Sequence, residues 1–208
     1  MKENFNFRET SFDGINYVCP NWEQMGRVSF ELSKQIEESG QKFDRLIALA
    51  KGGWTWARTT VDNLGIEQMS SIRVKSYTGV NSNEKIKLIQ PLTDLVNGER
   101  ILIYDDVADS GETLKFAKDY VIGAGAKEVM TATLCSKPRS CISPDFYGFE
   151  TRAWVIFPHE TREFIKDSCE MWSSNGINNG EMRGRFIEIG LPIEQVDYFM
   201  SRIGFEIK

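Results

Sequence analysis

The acidic strand end at residues 101–114 reads ILIYDDVADSGETL. Its first four residues are continuously apolar, which is typical of a strand that is buried on both faces of a sheet. Two adjacent aspartates follow at 105 and 106 and a third at 109, and a Ser-Gly turn then leads into a helical pattern. Clustered carboxylates repel one another and are costly to desolvate. We therefore expect a cation, or a ligand rich in hydroxyl groups, at this point.

Outward from this stretch, short apolar strands alternate with amphipathic helices along the chain. The strands are expected at 46–50, 71–77, 101–104, 129–135 and 153–157, and the helices at 21–38, from the KGGW turn to about 64, and at 112–122. This alternation predicts an α/β fold with a mainly parallel sheet that is covered by helices on both faces.

The ends of the chain follow a different pattern. Residues 1–19 are expected to be irregular, with a short strand at 15–18, and residues 161–208 to form two or three helices. We expect a main domain over residues 1–160 and a helical appendage over residues 161–208 that packs on the same domain. Met171, Trp172, Phe186, Phe199 and Met200 are the expected core of this appendage.

Polar segments follow the predicted strands at their carboxyl ends, where ligands bind in parallel α/β sheets. They are KGG after strand 46–50, KSYTG at the end of strand 71–77, DDVADSGET after strand 101–104 and SKP after strand 129–135. We therefore expect these segments to share one rim of the sheet.

The segment Asp109–Thr113 can bind an anion. It joins a strand to a helix N-terminus, where unpaired N–H groups and the helix dipole favour negative charge, and Gly111 permits close approach. Ser110 and Thr113 add hydroxyl donors; the alternative is an ordinary helix cap. Asp105 and Asp106 lie where a ligand held by that anion site would extend, and such a pair can accept bonds from a vicinal diol or hold hydrated Mg²⁺.

The KGG turn at 51–53 is a second candidate anion site, because two glycines expose backbone N–H groups and Lys51 adds a charge. Neither a P-loop nor a dinucleotide fingerprint is present, since GAGAKE at 123–128 follows a helix. Two anion sites that flank an acidic pair fit a ribose with a phosphate at one end and a pyrophosphate at the other.

Composition limits the other classes of function. The net charge of −5, and a tail of six Lys/Arg against eight Asp/Glu, argue against nucleic-acid binding. No apolar run reaches membrane-spanning length. Four cysteines without a CxxC pair, together with a single histidine, exclude a zinc-finger site and favour free thiols in a reducing cytoplasm.

The stretch ILIYDDVADSGETL resembles the phosphoribosyl-pyrophosphate signature of the type I phosphoribosyltransferases. The segments LIALAKGG, IRVKSY and PDFYGFE, in the family's order, are similar to the 6-oxopurine branch, and the resemblance covers roughly residues 43–160. It implies a fold with a parallel sheet and a hood. It also implies transfer of a phosphoribosyl group to N9 of hypoxanthine, guanine or xanthine, with Mg²⁺ as cofactor. A homodimer or higher homo-oligomer is the expected assembly.

The resemblance implies a role for each matching residue. Asp105 and Asp106 would bind the ribose hydroxyls and the metal, and Asp109 would face N7 of the purine. The residues that would wrap the 5′-phosphate are Ser110, Gly111, Glu112 and Thr113. Those that would bind pyrophosphate are Lys51 and Gly52, after a cis peptide bond between Ala50 and Lys51, with Ser76 and Tyr77 at the start of a lid over 77–86.

The purine pocket is implied by the last part of the match. Lys137 resembles the lysine that reads the 6-oxo group in the xanthine-guanine type; in the hypoxanthine-guanine type the lysine precedes PDF, where this chain has Ser143. Trp154 and Val155 would pack on the purine, and Glu160 would accept from N1 or a 2-amino group. Pro158-His159 replaces the Pro-Trp of microbial relatives, which leaves the preference at the 2-position open, and His159 is expected to be structural.

Two alternatives remain at this stage. One is a non-catalytic regulator on the same fold that senses phosphoribosyl pyrophosphate. The other is a phosphoribosyltransferase for orotate, adenine or uracil. A receiver domain is disfavoured, because its acid pair follows the first strand rather than one at residue 105.

Overall fold

The computed structural model describes residues 5–77 and 85–206 of the chain. The strands in these ranges are β1 (Glu9–Phe12), β2 (Ile15–Val18), β3 (Arg45–Ala50), β4 (Gln68–Tyr77), β5 (Lys85–Gln90), β6 (Arg100–Ala108), β7 (Glu128–Ser136), β8 (Phe146–Glu150) and β9 (Trp154–Val155). The helices are α1 (Trp22–Glu38), α2 (Trp54–Leu64), α3 (Glu112–Gly123), α4 (Thr161–Ser174), α5 (Asn179–Ile189) and α6 (Ile193–Arg202). Among these residues no helix is long and apolar enough to cross a membrane.

The chain divides into two compact units, one of residues 1–5 and 26–151 and the other of residues 6–25 and 152–208. The first unit holds a six-stranded sheet in the order β5-β4-β3-β6-β7-β8. Its strands are parallel except for β5, which pairs antiparallel with β4. The predicted α/β class, with a mainly parallel sheet, is confirmed.

Helices cover both faces of this sheet because its strands are apolar on both sides. Ile101 and Ile103 of β6 pack in one cluster with Leu114 of α3. The alternate residue Tyr104 turns its hydroxyl toward Ser29 of α1 and Thr60 of α2, where burial raises its pKa. Helix α3 and the pair α1 and α2 therefore lie on opposite faces.

The PDFYGFE segment fastens the edge strand β8 to the sheet. Asp145 accepts hydrogen bonds from the N–H and the Oγ1 of Thr131, each at 2.8 Å. A Cβ at Gly148 would lie 2.4 Å from Cγ1 of Val28 in α1. A glycine at this position thus lets α1 lie directly on β8.

The second unit contains a small sheet in the order β1-β2-β9 and the three C-terminal helices. Their shared core includes Tyr17 of β2 and Ile156 together with Trp172, Phe186 and Met200 from the helices. The tail helices thus share a core with residues of the segments 6–25 and 152–160.

Several expectations about individual elements need correction. The stretch 153–157 contributes only the two-residue strand β9, and it pairs with β2 in the small sheet. Strands β1, β5 and β8 were not predicted. Met171 was expected in the tail's core, but its side chain is 40% exposed, whereas Trp172 beside it is completely buried. The strand predicted at 15–18 is confirmed.

Candidate active site

The site forms where the strand order of the large sheet reverses, between β3 and β6. Strands β4 and β5 lie beyond β3 on one side, and β7 and β8 lie beyond β6 on the other. Such a switch point leaves a crevice at the carboxyl ends of the two central strands. The KGG turn follows β3, and the Asp-rich segment ends β6, so both predicted anion sites open on this crevice.

The turn after β3 is tight and depends on both glycines. A cis peptide bond joins Ala50 and Lys51, as predicted. The N–H of Gly53 donates to the Leu49 carbonyl at 2.9 Å, and a Cβ at Gly53 would lie 2.5 Å from the carbonyl oxygen of Tyr104. A Cβ at Gly52 would lie 2.3 Å from Oδ2 of Asp106. The backbone of this turn therefore rests against β6 and its acids, with Lys51 exposed.

The acid pair lies inside β6 rather than after it, because the strand runs to Ala108. Asp106 is only 5% exposed, and Asp105 is half-buried. The Asp106 N–H donates to Oδ1 of Asp105 at 3.0 Å, so one carboxylate is fixed against the backbone of the next residue. Carboxylates buried near a strand end are typical of binding sites, because desolvating them is costly.

The segment Asp109–Thr113 leads from the end of β6 into the first turn of α3, as predicted. Helix α3 begins at Glu112, directly after Gly111, whose φ of 78° lies in the left-handed region that favours glycine. Gly111 stands at the N-cap position and has no side chain that could cap the helix. The Ser110 hydroxyl accepts from the Glu112 N–H at 3.4 Å, and Thr113 is half-buried. The first turn therefore presents N–H groups to an anion.

Lys137 and Arg139 follow β7, the next strand of the sheet. Lys137 is only 8% exposed, so it is not a solvated loop lysine. Arg139 binds Asp109: its Nε donates to Oδ1 at 3.0 Å and its Nη2 donates to the same oxygen at 2.6 Å. Arg139 was not among the predicted site residues, although a second cation two residues after Lys137, at a strand end of the rim, was a usable signal.

The remaining predicted residues fall elsewhere. Trp154, Val155 and Glu160 belong to the second unit and line one hollow of about 260 Å³ with apolar neighbours. The Trp154 side chain is 56% exposed, so it is not a core residue. His159 stacks on Phe157 with ring centroids 5.5 Å apart, in keeping with the structural role expected for it.

The predicted lid is only partly described. Ser76 and Tyr77 are the last residues of β4. Residues 78–84, which make up most of the lid expected over 77–86, lie outside the described residues.

Fold and site together define an α/β protein whose sheet switch point carries two candidate anion sites around an acid pair. The chain belongs to the phosphoribosyl transferase domain family, whose model matches residues 21–163. A solved purine phosphoribosyltransferase from Pyrococcus horikoshii superposes with a TM-score of 0.63 at 35% identity, over 68% of this chain and 93% of its own.

Two curated relatives come from the 6-oxopurine branch. A xanthine-guanine phosphoribosyltransferase of Gluconobacter oxydans is 27% identical over 150 residues, which cover 71% of this chain and 86% of the relative. A hypoxanthine-guanine phosphoribosyltransferase of Bacillus subtilis is 29% identical over 133 residues, which cover 58% of this chain and 74% of the relative. The resemblance to this branch is confirmed.

Proposed function

We propose that this protein transfers the phosphoribosyl group from phosphoribosyl pyrophosphate to N9 of a 6-oxopurine and releases pyrophosphate, a step of purine salvage. The observation that carries the proposal is the close approach of Gly52 in the KGG turn to Asp106 in β6. It brings a candidate pyrophosphate loop against a candidate ribose acid. The named substrates of the relatives, xanthine, guanine and hypoxanthine, support the class of base.

The sugar phosphate would be held chiefly by backbone groups. The N–H groups of the loop after β6 would bind the 5′-phosphate, aided by hydroxyls; its residues are Ser110, Gly111, Glu112 and Thr113. At the other end, the N–H groups around Gly52 and the exposed Lys51 ammonium would bind pyrophosphate. Ser76 and Tyr77 would begin the lid over the bound pyrophosphate, as the resemblance implies. Local donors of this kind explain how a chain with a net charge of −5 can bind a polyanion.

The acid pair suits Mg²⁺. Asp105 and Asp106 offer the hard carboxylate oxygens that this ion prefers, and they lie side by side at the crevice. Mg²⁺ bound there would neutralise charge on the departing pyrophosphate. Both carboxylates would also accept hydrogen bonds from the ribose hydroxyls, which fixes the sugar for attack at C1.

The chemistry needs a purine nitrogen as nucleophile and a sugar that tolerates positive charge. Glycosyl transfer passes through an oxocarbenium-like state, and the carboxylates of β6 would stabilise that charge. Asp109 would accept the proton, or a hydrogen bond, from N7 as N9 attacks. Lys137, buried at the end of β7, would donate to the 6-oxo group.

Trp154, Val155 and Glu160 would contact the purine, as the resemblance implies. Trp154 offers an exposed indole for stacking, Val155 an apolar contact and Glu160 an acceptor for N1 or a 2-amino group. Their common hollow supports a joint role.

A panel of bases tests the proposal. The full chain would be incubated with Mg²⁺, phosphoribosyl pyrophosphate and one of hypoxanthine, guanine, xanthine, adenine, orotate or uracil. Nucleotide should form with at least one of the three 6-oxopurines and with none of the others. Nucleotide only from adenine, orotate or uracil would reject the base class, and nucleotide from none of the six would reject catalysis.

A further inference from the structure

The loop 137–142 is fastened to the backbone on both sides of Asp109. The N–H of Lys137 donates to the carbonyl of Ala108 at 3.0 Å, and the N–H of Cys141 donates to the carbonyl of Ser110 at 2.8 Å. Asp109 lies between these two acceptors in the chain. The loop 137–142 is therefore held against the phosphate segment, residues 109–113, which would bind the 5′-phosphate.

Arg139 occupies the middle of that loop, and a turn presents its side chain. The Ser140 N–H donates to the Lys137 carbonyl at 3.0 Å, and the Ser140 hydroxyl donates to the carbonyl of Ile142 at 2.7 Å. From this turn the guanidinium reaches Asp109, where Nε and Nη2 contact Oδ1 and Nη2 also contacts Oδ2. Both carboxylate oxygens are engaged by one planar group, so the orientation of the carboxylate is fixed.

Folding stability does not account for this pair. The side chains of Arg139 and Asp109 are 68% and 43% exposed, and exposed ion pairs contribute little to stability. What the pair does fix is the orientation of one carboxylate at the rim of the site. Each carboxylate oxygen has two lone pairs, so Oδ2, which Arg139 contacts through one nitrogen only, can still accept from a ligand.

We propose that Arg139 is a positioning residue for the transfer reaction: it holds the Asp109 carboxylate in the orientation that receives the N–H of the incoming purine. The inference rests on the proposed function, in which Asp109 faces the base. Because Arg139 acts through Asp109, its removal should slow turnover without weakening the binding of the sugar phosphate.

Arginine is also a good phosphate ligand, and Arg139 is attached to the phosphate segment. A direct phosphate contact would be a different role. It would raise KM for phosphoribosyl pyrophosphate, and its effect would multiply with that of an Asp109 substitution. These two readouts separate the roles.

The experiment compares Arg139→Ala, Arg139→Lys, Asp109→Ala and the double variant Arg139→Ala/Asp109→Ala in the full chain. Arg58→Ala is the matched control, since Arg58 is an exposed arginine paired with Asp62 on α2. We expect Arg139→Ala to lower kcat about 10- to 100-fold, the scale of a misplaced catalytic group. KM for phosphoribosyl pyrophosphate should stay within about twofold, and Arg139→Lys should recover part of kcat, because it restores the charge without the planar fork.

The double variant gives the sharpest result. It should be no more than about twofold slower than Asp109→Ala alone, since residues that act as a unit are not additive. Multiplying effects, an unchanged kcat in Arg139→Ala, or a raised KM for the sugar phosphate would each overturn the inference. A wild-type chain without turnover on any base would instead overturn the proposed function, and this inference with it.

Discussion

Gly52 and Asp106 approach each other so closely that a Cβ at position 52 would lie 2.3 Å from Oδ2 and 2.6 Å from Oδ1 of the aspartate. The two residues come from the ends of β3 and β6, which are neighbours in the sheet. A glycine is thus required not for its φ but for the space that a buried carboxylate occupies.

Gly52→Ala should therefore impair the site more than the fold. The Asp106 side chain, or the turn, must move by about 1 Å to admit the methyl group, and a shift of this size costs on the order of 100-fold in kcat/KM. The loss of unfolding free energy should stay near 1–3 kcal/mol, as in other overpacked positions. Steady-state kinetics and urea unfolding measure the two effects.

Gly26→Ala is the matched control, because Gly26 lies within α1 and a Cβ there meets no atom within 4 Å. It should keep full activity and gain up to about 1 kcal/mol of stability from helix propensity. Equal kinetics for Gly52→Ala and Gly26→Ala would show that the contact with Asp106 has no bearing on catalysis.

Gly111→Ala should weaken binding of the sugar phosphate. A Cβ at Gly111 would lie 2.2 Å from the Ser140 hydroxyl and 3.1 Å from the Cys141 nitrogen, so the substitution pushes the loop 137–142 away from the phosphate segment. We expect KM for phosphoribosyl pyrophosphate to rise about tenfold or more, because the backbone N–H groups of the phosphate segment lose their alignment.

Gly98→Ala isolates the backbone part of this effect. Gly98 has a φ of 79°, almost the same as the 78° of Gly111, but open space around its Cβ position. Both variants should lose about 1–2 kcal/mol from left-handed strain, whereas only Gly111→Ala should change KM. A similar change of KM in both would mean that crowding at Gly111 does not matter.

Asp109→Ala should lose most turnover and keep the sugar phosphate bound. Asp109 begins the phosphate segment but faces the base in the proposed function. Isothermal titration of Asp109→Ala with phosphoribosyl pyrophosphate should therefore give a Kd within a few-fold of the wild type. The rate should fall about 10²- to 10⁴-fold, the usual contribution of general acid–base catalysis. Asp119→Ala, which removes an exposed carboxylate paired with Lys115, is the control. Lost binding with normal turnover per bound substrate would refute the assigned role.

Asp44 should make stability depend on pH in acid. Arg100 donates from its backbone N–H, Nε and Nη2 at 2.8 to 3.1 Å, and these bonds lower the pKa of Asp44 to about 2. A carboxyl whose pKa is depressed in the folded state stabilises it fully above its unfolded pKa near 3.9, and that contribution is lost as the pH falls toward 2. The carboxylate is 42% exposed, so solvent screening keeps the effect small.

Thermal unfolding of Asp44→Asn against the wild type measures this contribution. The difference in Tm should be a few degrees at most and constant above about pH 5, and it should shrink between about pH 4 and 2. A difference that persists at pH 2 would show that hydrogen bonding by the neutral side chain, rather than ionisation, is responsible.

The rim of the sheet could be predicted from sequence because its signals are local. Apolar strands followed by KGG or by Asp-rich turns reveal both the parallel sheet and the strand ends, and parallel order then brings those ends together. The cis bond before Lys51 was predicted as well, through the resemblance. These features depend on short segments and one topological rule.

The parts that were missed depend on partners distant in sequence. Strand β5 exists through its antiparallel pairing with β4, and the 153–157 run yields only β9 because β2 is its partner. The pairing of Arg139 with Asp109 joins residues thirty positions apart, and no periodicity indicates it. Homodimer formation and a cytoplasmic location stay predictions.

The most direct measurement of the central claim is product analysis of a single reaction. Hypoxanthine or guanine, phosphoribosyl pyrophosphate, Mg²⁺ and the wild-type protein would be combined, and nucleotide and pyrophosphate quantified together. The account predicts an N9-linked nucleoside 5′-monophosphate and pyrophosphate in equal amounts, and no product with Asp109→Ala on the same time scale. Pyrophosphate release without nucleotide, or no reaction with any 6-oxopurine, would contradict it.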